Sequence, residues 1–309
     1  MAPDSHDRQP PCPDRLARAP RACKEGKNPR DRLHLAPPAL QGALLALVSR
    51  DISRLQLSDA QRLSHFPASP IVTLSWYQGM DGGLVDARGA WHPFGARVVI
   101  SGSHSQPLTT WSPTGGRGYM ACFAPDAARL LFGIELASVQ DRFVPAHTLL
   151  GAGWQPFLDD LLQVADDAAA MHLLEEQLGP RWRHAQGRDR DRPSLRQVGR
   201  HWVQQLAWQA HQWRNTHSSR QVERRIKSFS GRSLREWQSL VRTEGLFFAA
   251  RERFEAGQPF DWATLALEEG FSDQAHLSRT TRQICGFAPT EFADRYIEDE
   301  SFWIYRLWV

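Results

Sequence analysis

The chain has 309 residues, with 37 Lys and Arg against 34 Asp and Glu, a formal net charge of +3, and four cysteines. That length accommodates two domains with separate cores, and so mild a charge does not by itself announce a nucleic-acid binder. Cys12, Cys23, Cys122 and Cys285 form no CxxC pair, which argues against a structural zinc site or a disulfide framework and fits reduced thiols in a cytoplasm.

Residues 1–35, with Pro10, Pro11, Pro13, Arg15, Arg18, Pro20 and Arg21, are expected to be a disordered Pro/Arg-rich tail. The tail lacks the apolar core of a signal peptide, and no later apolar run approaches the ~20 residues of a membrane helix, so no membrane partner is expected. Residues 36–185 change texture. Ile71–Tyr77 and Ala96–Ser101 read as strands bounded by Pro70, Gly79, Gly95 and Gly102. Leu108–Trp111 and Gly118–Phe123 read as two more, joined through Pro113-Thr114-Gly115-Gly116 as a hairpin. From Pro125 the period turns helical: Ala127, Leu130 and Leu131 before Gly133, then Phe157 to Val164, then Ala168 to Leu178. The expectation is an α+β domain of antiparallel strands followed by helices.

His92, His104, His147 and Cys122 are the candidate ligands of that half. They lack the His-x-His and following Glu of a metal-binding cupin, so neither metal nor cofactor is expected. Glu135 and Asp141 read as solvated or capping groups rather than a catalytic pair. Trp76, Tyr77, Trp91 and Trp111 are candidate walls of an apolar pocket, or simply core aromatics.

The second half carries the chemistry. Ser218 and Gln221 form a capping-box pair ahead of Val222, Arg224, Arg225 and Ile226, and Gly231 ends that helix. Ser233 and Glu236 cap the next. The run from Trp262 to Glu269 has helical spacing, Gly270 breaks it, and Ser272 and Asp273 can cap a further helix that turns Leu277 and Thr280 or Thr281 inward. Its outward residues are Gln274, His276, Ser278, Arg279 and Arg282, all able to hydrogen-bond a base edge or a phosphate. Gly286 closes it, and Pro289 starts another helix. Arg220, Arg224, Arg225, Lys227, Arg232, Arg235 and Arg242 crowd the first of these units, as a phosphate-facing surface requires. The pattern is a helix-turn-helix, stated twice.

These residues resemble the DNA-binding domain of the AraC/XylS family of transcriptional regulators over about 195–296. The resemblance implies an all-α double helix-turn-helix domain following a sensor or dimerisation domain, with double-stranded DNA as partner. It implies DNA contacts from Arg220, Glu223 and Arg224 in the first recognition helix, with pairing to Arg220 as the alternative for Glu223. In the second it implies Gln274, His276, Ser278 and Arg279, with Arg282 on the same face. A small-molecule effector, RNA polymerase and a second copy of the chain come into consideration as further partners, and no catalytic residue is implied. Two rivals stand beside this reading: an enzyme or repair protein carrying such a module for targeting, and a partner-binding protein whose first unit no longer touches DNA.

The chain departs from the family pattern at Thr281, usually aromatic, and at Leu234, usually proline. The family's apolar support positions for the first unit fall on Trp208, His211, Gln212 and Asn215, of which only Trp208 is apolar. Loose support there is expected to leave the first unit attracting phosphates while the second reads bases. The apolar patterning reads as two self-contained halves. Residues 297–309 form an apolar extension, expected to dock as a short helix on a domain or a second subunit.

Overall fold

The computed structural model describes residues 12–22, 30–186, 198–256, 264 and 274–308. Ten strands occupy the described part of the first half: β1 (Arg30–Leu35), β2 (Leu44–Asp51), β3 (Leu63–Phe66), β4 (Val72–Gln78), β5 (Gly83–Val85), β6 (Trp91–Pro93), β7 (Val98–Ser101), β8 (Leu108–Trp111), β9 (Arg117–Phe123) and β10 (Phe143–Pro145). Six form one sheet in the order β1-β2-β9-β4-β7-β10, and four form a second in the order β3-β8-β5-β6. Every pairing is antiparallel.

The expected hairpin at Pro113–Gly116 is not one. β8 pairs with β3 and β5, whereas β9 pairs with β2 and β4, so this turn carries the chain from one sheet to the other. Its glycines let backbones approach. A Cβ on Gly116 would lie 2.6 Å from the Gln78 carbonyl oxygen, and the Ile52 N–H donates to the Gly116 carbonyl at 2.9 Å.

Period-two alternation gives the large sheet two faces. On β4, Val72, Leu74 and Trp76 are fully buried on one side, with Trp76 stacked on Tyr119 at 4.8 Å. Thr73, Ser75 and Tyr77 point to the other side, toward the small sheet. The first face is covered by α1 (Pro125–Phe132), α4 (Gln155–Leu161) and α5 (Asp167–Gln186), with the short α2 (Leu136–Val139) and α3 (Ala146–Leu150) between them. Pro125 opens α1 and Gly133, at φ 67°, closes it.

The second half is helical: α6 (Val198–Arg214), α7 (Ser219–Ser230), α8 (Leu234–Glu255), α9 (Gln274–Cys285), α10 (Pro289–Glu298) and α11 (Trp303–Trp308). The α+β then all-α layout expected from the sequence is the one observed. The cores are not separate, however. A single buried apolar cluster runs from Leu47 and Trp76 in the sheet through Trp202, Ile226 and Trp237 to Ile284, Phe302 and Tyr305. Among the described residues, no helix is long and apolar enough to cross a membrane.

The described part of the expected disordered tail is ordered. Residues 30–35 form β1, and residues 12–22 lie along the C-terminal region. The Arg21 and Glu300 amides donate to the Glu298 and Ala19 carbonyls, and Arg295 donates to the Leu16 carbonyl at 2.8 Å. Buried Arg295, Asp299 and Glu300 supply the partners that a proline-rich segment cannot find within itself. The C-terminal extension docks as expected, on the first half of the same chain: Trp303 Nε1 donates to Ser64 Oγ at 2.8 Å, while Phe302 packs against His65 and Phe287.

Candidate nucleic-acid interface

The first candidate helix, α7, is built from its caps inward. Ser218 accepts from the Gln221 amide while the Gln221 side chain accepts from the Ser218 amide, so the capping box closes α7 at its start. Gly231, at φ 83°, ends it, and Ser233 and Glu236 cap α8 in the same reciprocal way. Val222 and Ile226, one turn apart, are buried at 4% and 1% exposure. Arg220, Glu223, Arg224, Arg225 and Lys227 are exposed on the remaining surface.

Support for α7 comes from a different phase of α6 than the family pattern places it. Trp208 is 64% exposed, and His211, Gln212 and Asn215 are exposed as well. The inward stripe is Trp202, Leu206 and Ala210, at successive i, i+4 positions and no more than 4% exposed, with Trp213 partly buried beyond them. Trp202 stacks on Phe229 of α7 at 6.1 Å and meets Trp237 of α8 edge-on at 5.8 Å, and Trp213 packs edge-on against Phe229 at 6.5 Å. Trp237 Nε1 donates to Ser230 Oγ at 2.9 Å. The expectation of loose support is therefore corrected: three tryptophans hold the first unit.

In the second unit the helix before the turn, Gly270, Ser272 and Asp273 lie outside the described residues. The helix after the turn, α9, begins at Gln274. Leu277, Thr280, Thr281, Ile284 and Cys285 form its buried stripe, as the spacing i, i+3, i+4, i+7 requires. Arg279 and Arg282 are exposed, and His276 and Ser278 are half-buried. Gly286, at φ 87°, ends α9, and Pro289 starts α10. Thr281, at the family's aromatic position, is fully buried, and among the described residues its hydroxyl has no partner.

Both candidate helices, α7 and α9, end against the first half. Arg232, counted by charge among the phosphate-facing residues, is buried at 3% and points away from that surface. Its guanidinium donates to Asp141, on the turn before β10, at 3.2 Å and to the Ser103 carbonyl, because the left-handed turn at Gly231 sends the chain back toward the sheet. Burial would raise the Asp141 carboxyl, but the Ser105 amide and Arg232 hold it below the ordinary carboxylate range. At the end of α9, the Ile284 carbonyl accepts from the Ala68 amide at 2.7 Å and Gly286 sits against Pro107. Both clamps meet the segment from Gly102 to Pro107, a feature with no periodicity by which the sequence could announce it.

The other candidates separate. His92 pairs with Asp86 at 3.0 Å on the small sheet, His147 is exposed on α3, and Glu135 precedes α2. Trp76 is core under the helices, and Trp91 and Trp111 pack edge-on in a small cluster with Leu63 and Val85. Tyr77, His104 and Cys122 line a cavity of about 120 Å³ between the two sheets, with Thr73, Ser75 and Ser101.

No protein-family model matches the chain, and no curated protein matches it. Solved structures of ToxT from Vibrio cholerae align with it along most of its length. The O395 protein bound to (E)-4-(8-methylnaphthalen-1-yl)but-3-enoic acid is 10% identical, with TM-score 0.37, covering 80% of this chain and 96% of that one. A 1.65 Å structure of ToxT is 10% identical, with TM-score 0.35 over the same shares. The wild-type protein of strain SCE256 with an unsaturated fatty acid bound is 11% identical, with TM-score 0.34, covering 75% of this chain and 93% of that one. A likeness at this TM-score supports no statement about what the present chain does.

Proposed function

We propose that the chain is a sequence-specific, double-stranded-DNA-binding transcriptional regulator of the AraC/XylS type, acting by binding rather than by catalysis. One observation carries this: two 12-residue helices, α7 and α9, are built alike. Each buries an apolar stripe, ends in a left-handed glycine followed by a new helix, and exposes two arginines one turn apart, Arg220 and Arg224 or Arg279 and Arg282. A helix of that length spans roughly 18 Å, which fits a major groove. Arg suits guanine O6/N7, Gln274 suits adenine N6/N7, and Glu223 can accept from cytosine N4.

The cavity of the first half then serves a small-molecule effector. Control of transcription requires contact with RNA polymerase or its exclusion, with or without a second copy of the chain.

Selection from random double-stranded DNA with the full-length protein tests this. A regulator of this type enriches a discrete bipartite motif, its two halves about one helical turn, ~10 bp, apart. Enrichment of no motif refutes the proposal.

A further inference from the structure

We propose that the space between the two sheets binds an uncharged, partly apolar molecule about the size of one aromatic ring, and that α9 senses it directly. The second clause rests on the regulator reading; the first does not. Two lobes of about 120 Å³ and 90 Å³ adjoin there, sharing Phe66, Ser75, Tyr77, Thr110 and Met120. An apolar cavity of ~150 Å³ is known to take a benzene ring, so each lobe is on the scale of a single ring.

The chemistry of the larger lobe is neutral throughout. Ile71, Leu108, Met120 and Phe143 supply apolar wall, and Thr73, Ser75, Thr110 and Ser101 supply hydroxyls. Its one titratable imidazole, His104, bonds Ser101 Oγ, and burial pushes it down to about 4, so it is uncharged at neutral pH. Arg50 and Arg62 border the smaller lobe, but both are engaged. Arg50 pairs with Glu300 at 2.9 Å, and Arg62 donates to the Leu57 and Ser112 carbonyls and pairs with Asp59. An ion entering the larger lobe would lose its water and find no counter-charge, whereas a hydroxyl or carbonyl finds donors and acceptors on β4 and β7.

The same wall belongs to the DNA-binding half. Ile284 of α9 and Ile304 and Tyr305 of α11 line the larger lobe. Ala68, whose amide bonds the Ile284 carbonyl, lines it too. Its neighbour Ser69 exchanges backbone hydrogen bonds with His104. A molecule in the lobe therefore touches the C-terminal turn of the helix that exposes Arg279 and Arg282, and filling it fixes that turn.

The test uses full-length protein and three probes of one shape at pH 7: benzyl alcohol, benzoate and benzylammonium. Thermal unfolding should shift upward with benzyl alcohol concentration and not with either ion. Ser101→Ala should weaken the benzyl alcohol response by about fivefold to tenfold, the loss of one hydrogen bond. Thr110→Phe, which fills the shared wall, should abolish it while the unliganded protein still unfolds cooperatively. Should that variant not fold, Ile284→Ala should instead shift preference toward a two-ring alcohol.

No shift with any probe overturns the site. Benzoate binding as well as the alcohol also overturns the neutral assignment, and would identify Arg50, on the wall of the adjoining lobe, as its counter-ion. On the selected DNA, benzyl alcohol should change affinity at least threefold. An unchanged affinity beside a clear thermal shift overturns the sensing by α9 alone. Absence of any selected motif sinks the regulator reading and leaves the thermal results standing.

Discussion

Trp202 and Trp208 lie on the same helix, six residues apart, and only one of them can be the residue that holds the first unit. Trp202 is 2% exposed and wedged between Phe229 and Trp237 at centroid distances of 6.1 and 5.8 Å. Replacing it with Ala removes a buried indole and opens a cavity, a change that costs about 3–5 kcal/mol in well-packed cores. The two aromatic contacts add about 0.5–1.5 kcal/mol each to that expectation's upper range. Because Trp202 Nε1 has no hydrogen-bond partner among the described residues, Trp202→Phe loses volume and should cost about 1–2 kcal/mol. Trp208, 64% exposed and stacked on neighbouring His211, should tolerate Ala within about 0.5 kcal/mol. Urea unfolding of the three variants measures these differences, and DNA affinity on the selected motif should fall with Trp202→Ala and not with Trp208→Ala. A larger loss at Trp208 than at Trp202 would refute the phase assigned to α6, and with it the claim that α7 is firmly held.

Arg279→Ala should weaken binding to the selected motif by about 1–3 kcal/mol and relax one base position, read by repeating the selection with the variant. Since α7 is now seen to be rigidly supported, Arg224→Ala should lose more affinity on the selected motif than on scrambled DNA. An equal loss on both, with the salt slope reduced by about one, would return it to a phosphate contact. Thr281→Val removes a buried hydroxyl that has no partner among the described residues while keeping its shape, and should raise stability by about 1 kcal/mol in urea unfolding. Asp31 is raised to about 6 by burial beyond what neighbouring Arg50 offsets. Its folded value lies above its unfolded one, so its contribution to stability is full below pH ~4 and lost as pH rises through 6. Asp31→Asn should therefore make stability rise more steeply than wild type between pH 4 and 6, and an unchanged slope would contradict this.

Local chemistry made the helical half legible. Ser218 with Gln221, Ser233 with Glu236, Gly231, Gly286 and Pro289 act within one turn of themselves, and each occupies the cap expected of it. The buried stripe Leu277, Thr280 and Thr281 follows from helical period alone, as do the strands β4, β7, β8 and β9. The positions expected from resemblance, Trp208 to Asn215, were out of phase, because family spacing carries no information about a loop of different geometry. The strands β1, β2 and β3 escaped notice. β2 is buried at all but its last position and shows no alternation, and β1 takes its order from β2 rather than from its own composition.

Partner choice is what the tertiary structure decided. Nothing near Gly116 says that β8 and β9 belong to different sheets, nothing near Arg232 names Asp141 as its partner, and nothing in the proline-rich start names Arg295. These are contacts between residues far apart in the chain, each satisfying a buried charge or backbone group that its own neighbours leave bare. The sequence determined which helices form and which faces they expose, because caps, glycines and period act locally. Only the folded chain joined the two halves through one core and set the end of α9 into the wall of a cavity, because burial is shared by whatever the topology brings together.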